Sequence, residues 1–508
     1  MIKKQSTILR SLAAVLFSVL LTVSCTSNPK TDRENRPNII FIMADDLGWQ
    51  DVGFMGSKWF ETPNLDKLAG ESLVFNNAYM YPTCSPSRAA LLTGKQSFRT
   101  GIYNVPVLER GDNVHNIFSR WTVGLEHSMY AEPLQKAGYR SIHLGKWHVV
   151  GPNPEEEVSY PYETPLKQPV NGSLDWLADH LTADIQKYYP IGKGFHENVG
   201  GTWWGDPARG YTEGYKSESG GYKAPFKNPF IEDKDNDEWL TDRLTDDAIH
   251  FIKRNKTEPF FVNLHYYAPH RPTVPRNKEV FQKFMGKDPD SITGQGEKNR
   301  EEIAGYATMI ASIDENVKRI FDYLEKEGLR ENTIVIFTSD NGFNGLQSGT
   351  NILRGAKGTI YEGGIRVPAF INWKGQVAPG NSETPICGMD YFPTFLELAK
   401  VDDYKGELDG ESLVPLLNNK AFKERALFWH VASTYKNPPC SIIRKNEWKL
   451  IQFLNDEQVE LYNLQKDLKE EYNLVDENPE IVSQLLNELI TWRKINNVPL
   501  PPASILTF

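Results

Sequence analysis

Asn38 opens the run Ile39-Ile40-Phe41-Ile42-Met43-Ala44, which is apolar without a break. A run of that length and character suits a strand covered on both faces. Residues 333–338 repeat the pattern as a second buried strand, and residues 139–144 and 259–264 also read as strands. Between them the period changes to 3.6. Residues 301–329 place Tyr306, Met309, Ile310, Ile313, Val317, Ile320, Phe321 and Leu324 on one helical face, and Gly328 closes the helix. Residues 131–137, 239–252 and 390–399 also read as helices, and residues 62–68 as one opened by Thr62 at the N-cap and Pro63 at its first position. Strands alternating with helices predict an α/β fold, a large mixed and mostly parallel sheet between layers of helices.

Two stretches break that rhythm. Residues 150–236 carry Trp176, Trp203, Trp204, Tyr211, Tyr215 and Tyr222 among many Gly, Pro and charged positions, with only a weak helix near 174–188. They predict long loops over one face of the domain. Beyond a boundary at 418–425, residues 426–430, 441–444, 448–454 and 459–462 alternate like antiparallel strands, and 479–495 form an amphipathic helix behind Asn478. The expected organisation is a catalytic domain over 37–420 and a smaller C-terminal α+β domain over 421–508.

The first residues stand apart. Lys3, Lys4 and Arg10 precede a short apolar run at 12–23, then Ser24-Cys25. The run is too short to span a bilayer and reads as a secretory signal over 1–24, followed by a polar tether over 25–36. A cysteine after a small residue resembles a bacterial lipoprotein cleavage site, which makes Cys25 a candidate for lipidation and membrane anchoring. Ordinary signal-peptidase cleavage is the alternative. Either route exports the chain, to the periplasm or to the outer membrane of a bacterium.

The 508 residues carry a formal charge of −10, which argues against a nucleic-acid partner. The four cysteines, Cys25, Cys84, Cys387 and Cys440, show no CxxC pair and no zinc spacing. A Cys387–Cys440 disulfide is open but not indicated by spacing.

Candidate chemistry gathers at the strand ends. The first strand ends in Asp45-Asp46 and the last in Asp340-Asn341; the strand at 139–144 delivers Gly145-Lys146-Trp147-His148. Open α/β sheets place their sites at such carboxyl ends. Four oxygen-donor side chains in two pairs suit a hard divalent cation, although either pair alone is more often a turn or cap. Cys84-Ser85-Pro86-Ser87-Arg88 puts a cysteine one helical turn before an arginine, with Pro86 in the first turn. An electropositive helix N-terminus of this kind favours a thiolate or another anion, against the plain reading of a buried thiol.

The run from Cys84 through Leu92-Thr93-Gly94 resembles the signature of the formylglycine-dependent type I sulfatases, and the likeness extends over nearly the whole chain after Asn38. It implies an alkaline-phosphatase-like fold and a sulfuric ester hydrolase. It implies that a maturation enzyme oxidises Cys84 to formylglycine, whose hydrated aldehyde attacks sulfur. Metal ligands fall on Asp45, Asp46, Asp340, Asn341 and the modified Cys84, with one Ca²⁺ the usual ion and Mg²⁺ the alternative. Arg88 would hold the hydrate, Lys146 would bridge hydrate and sulfate, and Lys357, in Gly-Ala-Lys-Gly-Thr-Ile-Tyr-Glu-Gly-Gly, would neutralise a sulfate oxygen. His148 is implied as the base that regenerates the aldehyde. His270, in Ala-Pro-His-Arg-Pro, is implied as the acid that protonates the leaving alcohol, with His265 a rival. The chain departs from the signature at Lys95, where arginine is usual, and in a long insertion at 155–190.

The implied substrate is a sulfated glycan, with an exo-acting enzyme on sulfated galactose or N-acetylgalactosamine as the specific expectation. An arylsulfatase or another glycosaminoglycan sulfatase is the alternative. Trp203, Trp204, Tyr266 and Trp429 are candidate sugar platforms, and His430 a candidate sugar contact. Each could equally pack the interior. A phosphatase of the related fold and a non-catalytic glycan binder are the competing functions. The cysteine signature disfavours the first, and conversion of Cys84 separates the second.

Overall fold

Alternate residues of the first strand, Asn38–Ala44, point into two different cores. Ile40, Ile42 and Ala44 join one, Ile39, Phe41 and Met43 the other. A strand has a side-chain period of two, so an unbroken apolar run can only be satisfied by cover on both sides. In the computed structural model that cover is helical. The helices Leu240–Asn255 and Arg300–Lys326 supply the first core. The helices Cys84–Thr93, Ala131–Lys136 and Tyr391–Leu398 supply the second. The structure describes residues 36–152, 154, 161–166, 177, 179–207, 221–226, 228–235, 237–287, 300–345, 353–456 and 458–505. The signal and tether calls, Cys25, Trp176, Tyr211, Tyr215 and much of 155–190 lie outside them.

Asn38–Ala44 sits in an eight-stranded sheet. Its parallel neighbours are Phe260–His265 and Thr333–Ser339, and Arg140–Gly145 pairs in parallel beyond the first of these. Ala369–Asn372 runs antiparallel against Thr333–Ser339, which makes the sheet mixed. The short strands Leu73–Phe75, Glu197–Val199 and Gly380–Ser382 complete it. With three residues each, these short strands are too brief to show a period. Pro37–Phe508 packs as one compact unit.

The N-cap expectation at Thr62 needs correction. The helix does start at Pro63, but Thr62 makes no side-chain cap. Its hydroxyl donates to Asp66 Oδ1 at 2.8 Å. The free N–H groups of Asn64 and Leu65 instead donate to Asp314 Oδ1, at 3.0 and 2.7 Å, from the long helix. A carboxylate distant in sequence thus satisfies the helix start.

The C-terminal sheet runs Leu427–Val431, Cys440–Lys445, Trp448–Phe453, Val459–Asn463, all antiparallel. The helix Pro479–Ile495 covers one face through Leu485, Leu486 and Leu489. The other face, with Trp429, Ile442 and Ile451, packs on Tyr79, Tyr81, Ala90 and Ile360 of the larger sheet's side. Cys387 and Cys440 are buried free thiols, so they form no disulfide. Among the described residues no helix is long and apolar enough to cross a membrane.

A buried ionic knot crosses that seam. Lys449 Nζ lies 3.1 Å from Glu362 Oε1 and 2.8 Å from Glu470 Oε1, all three side chains excluded from solvent. Tyr79 donates to Glu362 Oε2 at 2.8 Å, and the Glu362 N–H donates to Glu470 Oε2 at 2.7 Å. Lys449→Ala would leave Glu470 buried without its cation and Glu362 with only Arg366, 3.4 Å away. We expect a loss of about 3–5 kcal/mol in urea unfolding. A midpoint unchanged from wild type would show that the knot does not hold the seam.

Candidate active site

The carboxylates and Lys146 are delivered by strand ends or the turns after them, Arg88 by the helix Cys84–Thr93 and Lys357 by a later loop. The chain leaves the first strand through Asp45 and Asp46, and Asp46 adopts a left-handed φ of 67°. Aspartate tolerates that region better than most residues. The Asp45 N–H donates to Ala268 O and the Asp340 N–H to Ala44 O, each at 3.1 Å, which locks three strand ends together. Gly145, at φ 85°, is required by close approach: a Cβ there would lie 2.0 Å from the His265 carbonyl. The next residue's N–H, on Lys146, donates to that same carbonyl at 2.9 Å. His148 then follows with its own left-handed φ of 58°.

Opposite charges meet in close pairs. Lys146 Nζ lies 2.6 Å from Asp45 Oδ2, and Lys357 Nζ lies 2.6 Å from Asp46 Oδ1. Arg88 donates through Nε and Nη2 to Asp340 Oδ2, at 3.0 and 2.9 Å, and through Nη1 to the Lys146 carbonyl at 2.7 Å. Asp340 Oδ1 accepts from the Asp46 N–H at 3.2 Å. Asn341 donates to Asp46 Oδ1 at 2.8 Å. Three carboxylates therefore face three cations, and nearly all are buried.

Cys84 begins its helix inside this cluster, and its thiol donates weakly to Asp45 Oδ1 at 3.8 Å. The thiolate expectation fails here. Burial pushes the Cys84 pKa up to about 12, and the opposing pull of Lys146 and Lys357 does not overcome it.

Two histidines are separated by environment. Burial, with Lys146, Arg88 and Lys357 behind it, drives the His148 pKa well below the ordinary histidine value, so His148 is neutral. Burial and Lys357 also work against a charged His270, yet Asp45 and Asp46 carry its pKa upward. A neutral base and a protonatable acid on one cluster is the pattern general acid–base chemistry needs. The rival His265 lies wholly buried behind the cluster, its Nδ1 3.3 Å from Arg88 Nη1.

The residues fit a divalent cation. Ligand atoms of Asp45, Asp46, Cys84 and His270 lie within 4.8 Å of one another. Among the described residues Asn341 Oδ1 is buried with no hydrogen-bond partner, an acceptor left for a cation. Burial and the facing Asp340 raise the Asp45 pKa to about 6. Asp46 is buried as well, but Lys357 and His270 hold its carboxyl below the usual range.

The proposed sugar contacts fare differently. Trp203 is fully buried, edge-on to Trp121 and Trp204 at 6.0 and 4.7 Å. Tyr266 is fully buried and bonds Thr245 Oγ1 at 2.6 Å; His430 is fully buried beside Ser441 Oγ at 2.9 Å. Trp429 is buried and donates to Met80 O at 3.0 Å, at the seam of the two sheets. A sugar platform needs an open ring face, so these four are interior packing. Trp204 is also buried, but its indole Nε1 reaches Asp206 Oδ2 at 3.2 Å. Lys95 Nζ lies 3.3 Å from His127 Nδ1.

Two contributions escaped the sequence reading. Asp206 Oδ1 lies 3.1 Å from His270 Nδ1. From the C-terminal sheet, Lys436 Nζ donates to the Lys357 carbonyl at 2.6 Å and Asn437 Oδ1 accepts from the Ile360 N–H at 3.1 Å. Neither lies in a motif or near one in sequence.

The sulfatase family model matches residues 37–401. This chain belongs to the sulfatase family. A second model, the C-terminal region of N-sulphoglucosamine sulphohydrolase, matches residues 356–495. A sulfatase of Formosa agariphila is 32% identical over 96% of this chain and 94% of its own. The mouse N-acetylgalactosamine-6-sulfatase is 30% identical over 82% of this chain and 73% of its own. The crystal structure of Ps i-CgsB is 28% identical, covers 92% of this chain and 94% of its own, and superposes with a TM-score of 0.68. A further crystal structure of Ps i-CgsB holds k-i-k-neocarrahexaose. The sulfatase assignment makes the chain a sulfuric ester hydrolase, with the cluster around Cys84 as its candidate active site.

If this cluster holds the cation, Ca²⁺ will stabilise the folded sulfatase. At a concentration 100-fold above its dissociation constant the gain is about 2.7 kcal/mol, seen as a raised melting temperature. Asn341→Ala should lose most of that rise. A melting temperature indifferent to Ca²⁺ and Mg²⁺ would count against the site.

Proposed function

We propose that the protein removes sulfate from sulfated carbohydrates through a formylglycine derived from Cys84, acting on terminal sulfated galactose or N-acetylgalactosamine units. The observation that carries this reading is the burial of Cys84 among Asp45, Lys146, Lys357 and Asp340, with its thiol held protonated. A protonated thiol is a poor nucleophile. Even as thiolate it would trap sulfate in an adduct with no ready exit. An aldehyde hydrate has one oxygen to attack sulfur and a second to expel the sulfate.

In the first step one hydrate hydroxyl passes its proton to Asp45 Oδ1, 3.8 Å from the Cys84 sulfur position, and its oxygen bonds to sulfur as the sulfur–alcohol oxygen bond breaks and the departing oxygen takes a proton from His270. In the second, His148 takes the proton of the remaining hydroxyl, the aldehyde C=O re-forms, and the carbon–oxygen bond to sulfate breaks. Water then restores the hydrate. Asp45 and His148 give their protons to water and His270 takes one back, so the net change is one ester and one water to one alcohol, one sulfate and one proton. Lys146 and Lys357 stabilise charge on the sulfate oxygens as it develops, the main lever in transfers of this type. Asp45, Asp46, Asp340 and Asn341 would hold a divalent cation, which supplies further positive charge to the same oxygens. The arithmetic supports an anion here. Three carboxylates cancel three side-chain cations, and a divalent ion leaves two positive charges over.

The carbohydrate substrate is supported by the relatives' names, an N-acetylgalactosamine-6-sulfatase and a complex with k-i-k-neocarrahexaose. The leader at 1–24 and Cys25 support export to a bacterial envelope, with lipid anchoring at that cysteine.

A screen of mono-sulfated monosaccharides tests the substrate class. Sulfate release from a galactose or N-acetylgalactosamine sulfate is the expected result, and Lys357→Ala should cut the rate by about 10²–10³. Desulfation of polymers alone would overturn exo action. Faster hydrolysis of matched phosphate esters would overturn the sulfate reading.

A further inference from the structure

We infer that Asp206 is a positioning residue for His270, and through it for protonation of the departing alcohol; this rests on the sulfatase reading above. Two acceptors face His270 Nδ1: Asp206 Oδ1 at 3.1 Å and the Arg271 carbonyl at 2.7 Å. A nitrogen facing two acceptors carries the proton. That fixes the ring so that Nε2 is the nitrogen turned to the reacting centre, 3.8 Å from Asp46 Oδ2.

Asp206 is itself held from behind. Its Oδ2 accepts from Trp204 Nε1 at 3.2 Å. Trp204 is only 7% exposed and packs on the fully buried Trp203, whose far side meets Trp121. The indole pair therefore has a use that is neither a sugar platform nor mere filling. It anchors the carboxylate that aims the histidine. The chain Trp204–Asp206–His270 ends on the group assigned to the leaving alcohol.

The carboxylate holds the ring from the side opposite the reacting centre, as in an acid–base pair oriented by a third group. When the sulfur–oxygen bond breaks, its electron pair stays on the alcohol oxygen, which takes the Nε2 proton. His270 becomes neutral and keeps its Nδ1 proton. His270 recovers a proton from water before the next cycle.

This assignment separates two kinds of ester. A sugar alkoxide is a poor leaving group and needs the proton; para-nitrophenolate leaves well without it. The test compares wild type, Asp206→Ala, Asp206→Asn, His270→Ala and the Asp206→Ala/His270→Ala double variant on a sulfated sugar and on para-nitrophenyl sulfate. Asp206→Ala should lower kcat on the sugar sulfate by about 10- to 100-fold, with a much smaller loss on the nitrophenyl ester and little change in KM. Asp206→Asn keeps an acceptor for Nδ1 and should recover part of the loss, with the same bias toward the sugar ester. The double variant should be no slower than His270→Ala alone. Equal losses on both esters, or losses that add in the double variant, overturn the role of Asp206. Should Asp206→Ala not fold, the near-isosteric Asp206→Asn carries the comparison. A wild type with formylglycine in place that cleaves neither ester overturns the sulfatase reading itself, which is a different failure.

Discussion

Three buried carboxylates and three cations, Arg88 and Lys146 buried and Lys357 partly so, locked in pairs at the ends of parallel strands, set the terms for the whole catalytic face. Asp45, Asp46 and Asp340 could not be ionised there without Lys146, Lys357 and Arg88, because a lone buried charge costs several kcal/mol. Each pair joins segments far apart in sequence. Arg88 ties the helix Cys84–Thr93 to the strand end at Asp340, and Lys146 ties the turn after Arg140–Gly145 to Asp45. The pairs bind the fold together at the place where the chemistry is assigned. Burial makes Cys84 a weak acid there, and the pull of Lys146 and Lys357, opposed by Asp340 and Asp45, does not reverse it.

The C-terminal sheet belongs to the same constraint. The loop carrying Lys357 runs directly into Glu362, which is held by Lys449 from that sheet. The Lys357 carbonyl is held again by Lys436, and Gly358 lies under the ring of Tyr435. A lysine that must reach a buried aspartate is therefore placed from outside the larger sheet. The two histidines show the complementary effect. The same burial acts on both, and the sign of the nearest charges decides which stays neutral: cations beside His148, carboxylates beside His270.

What could be read from the sequence was what is local. The buried strands, the long helix and the turns carrying Asp45, Asp46, Lys146, His148, Asp340 and Asn341 all announce themselves within a few residues, by period or by motif. Once those segments align in a parallel sheet, their charged ends must converge. Everything misread or missed is non-local. Thr62 has the right chemistry and position for a cap, but Asp314, 250 residues beyond Asn64, takes the role. Trp203, Tyr266, Trp429 and His430 have the composition of sugar contacts, and only their burial shows otherwise. Asp206 sits in no motif and acquires meaning only when His270 is folded against it. The short strands at 366–367, 369–372 and 380–382 carry too few residues to display a period.

The central claim is that Cys84 is a precursor and that the cluster around it is built for an aldehyde hydrate. Mass analysis of the peptide spanning Cys84, on protein fractions whose sulfate release is measured in parallel, tests it most directly. The account expects formylglycine at position 84 in the active fractions, with turnover proportional to the converted share. Full turnover from protein in which Cys84 is still a thiol would contradict it.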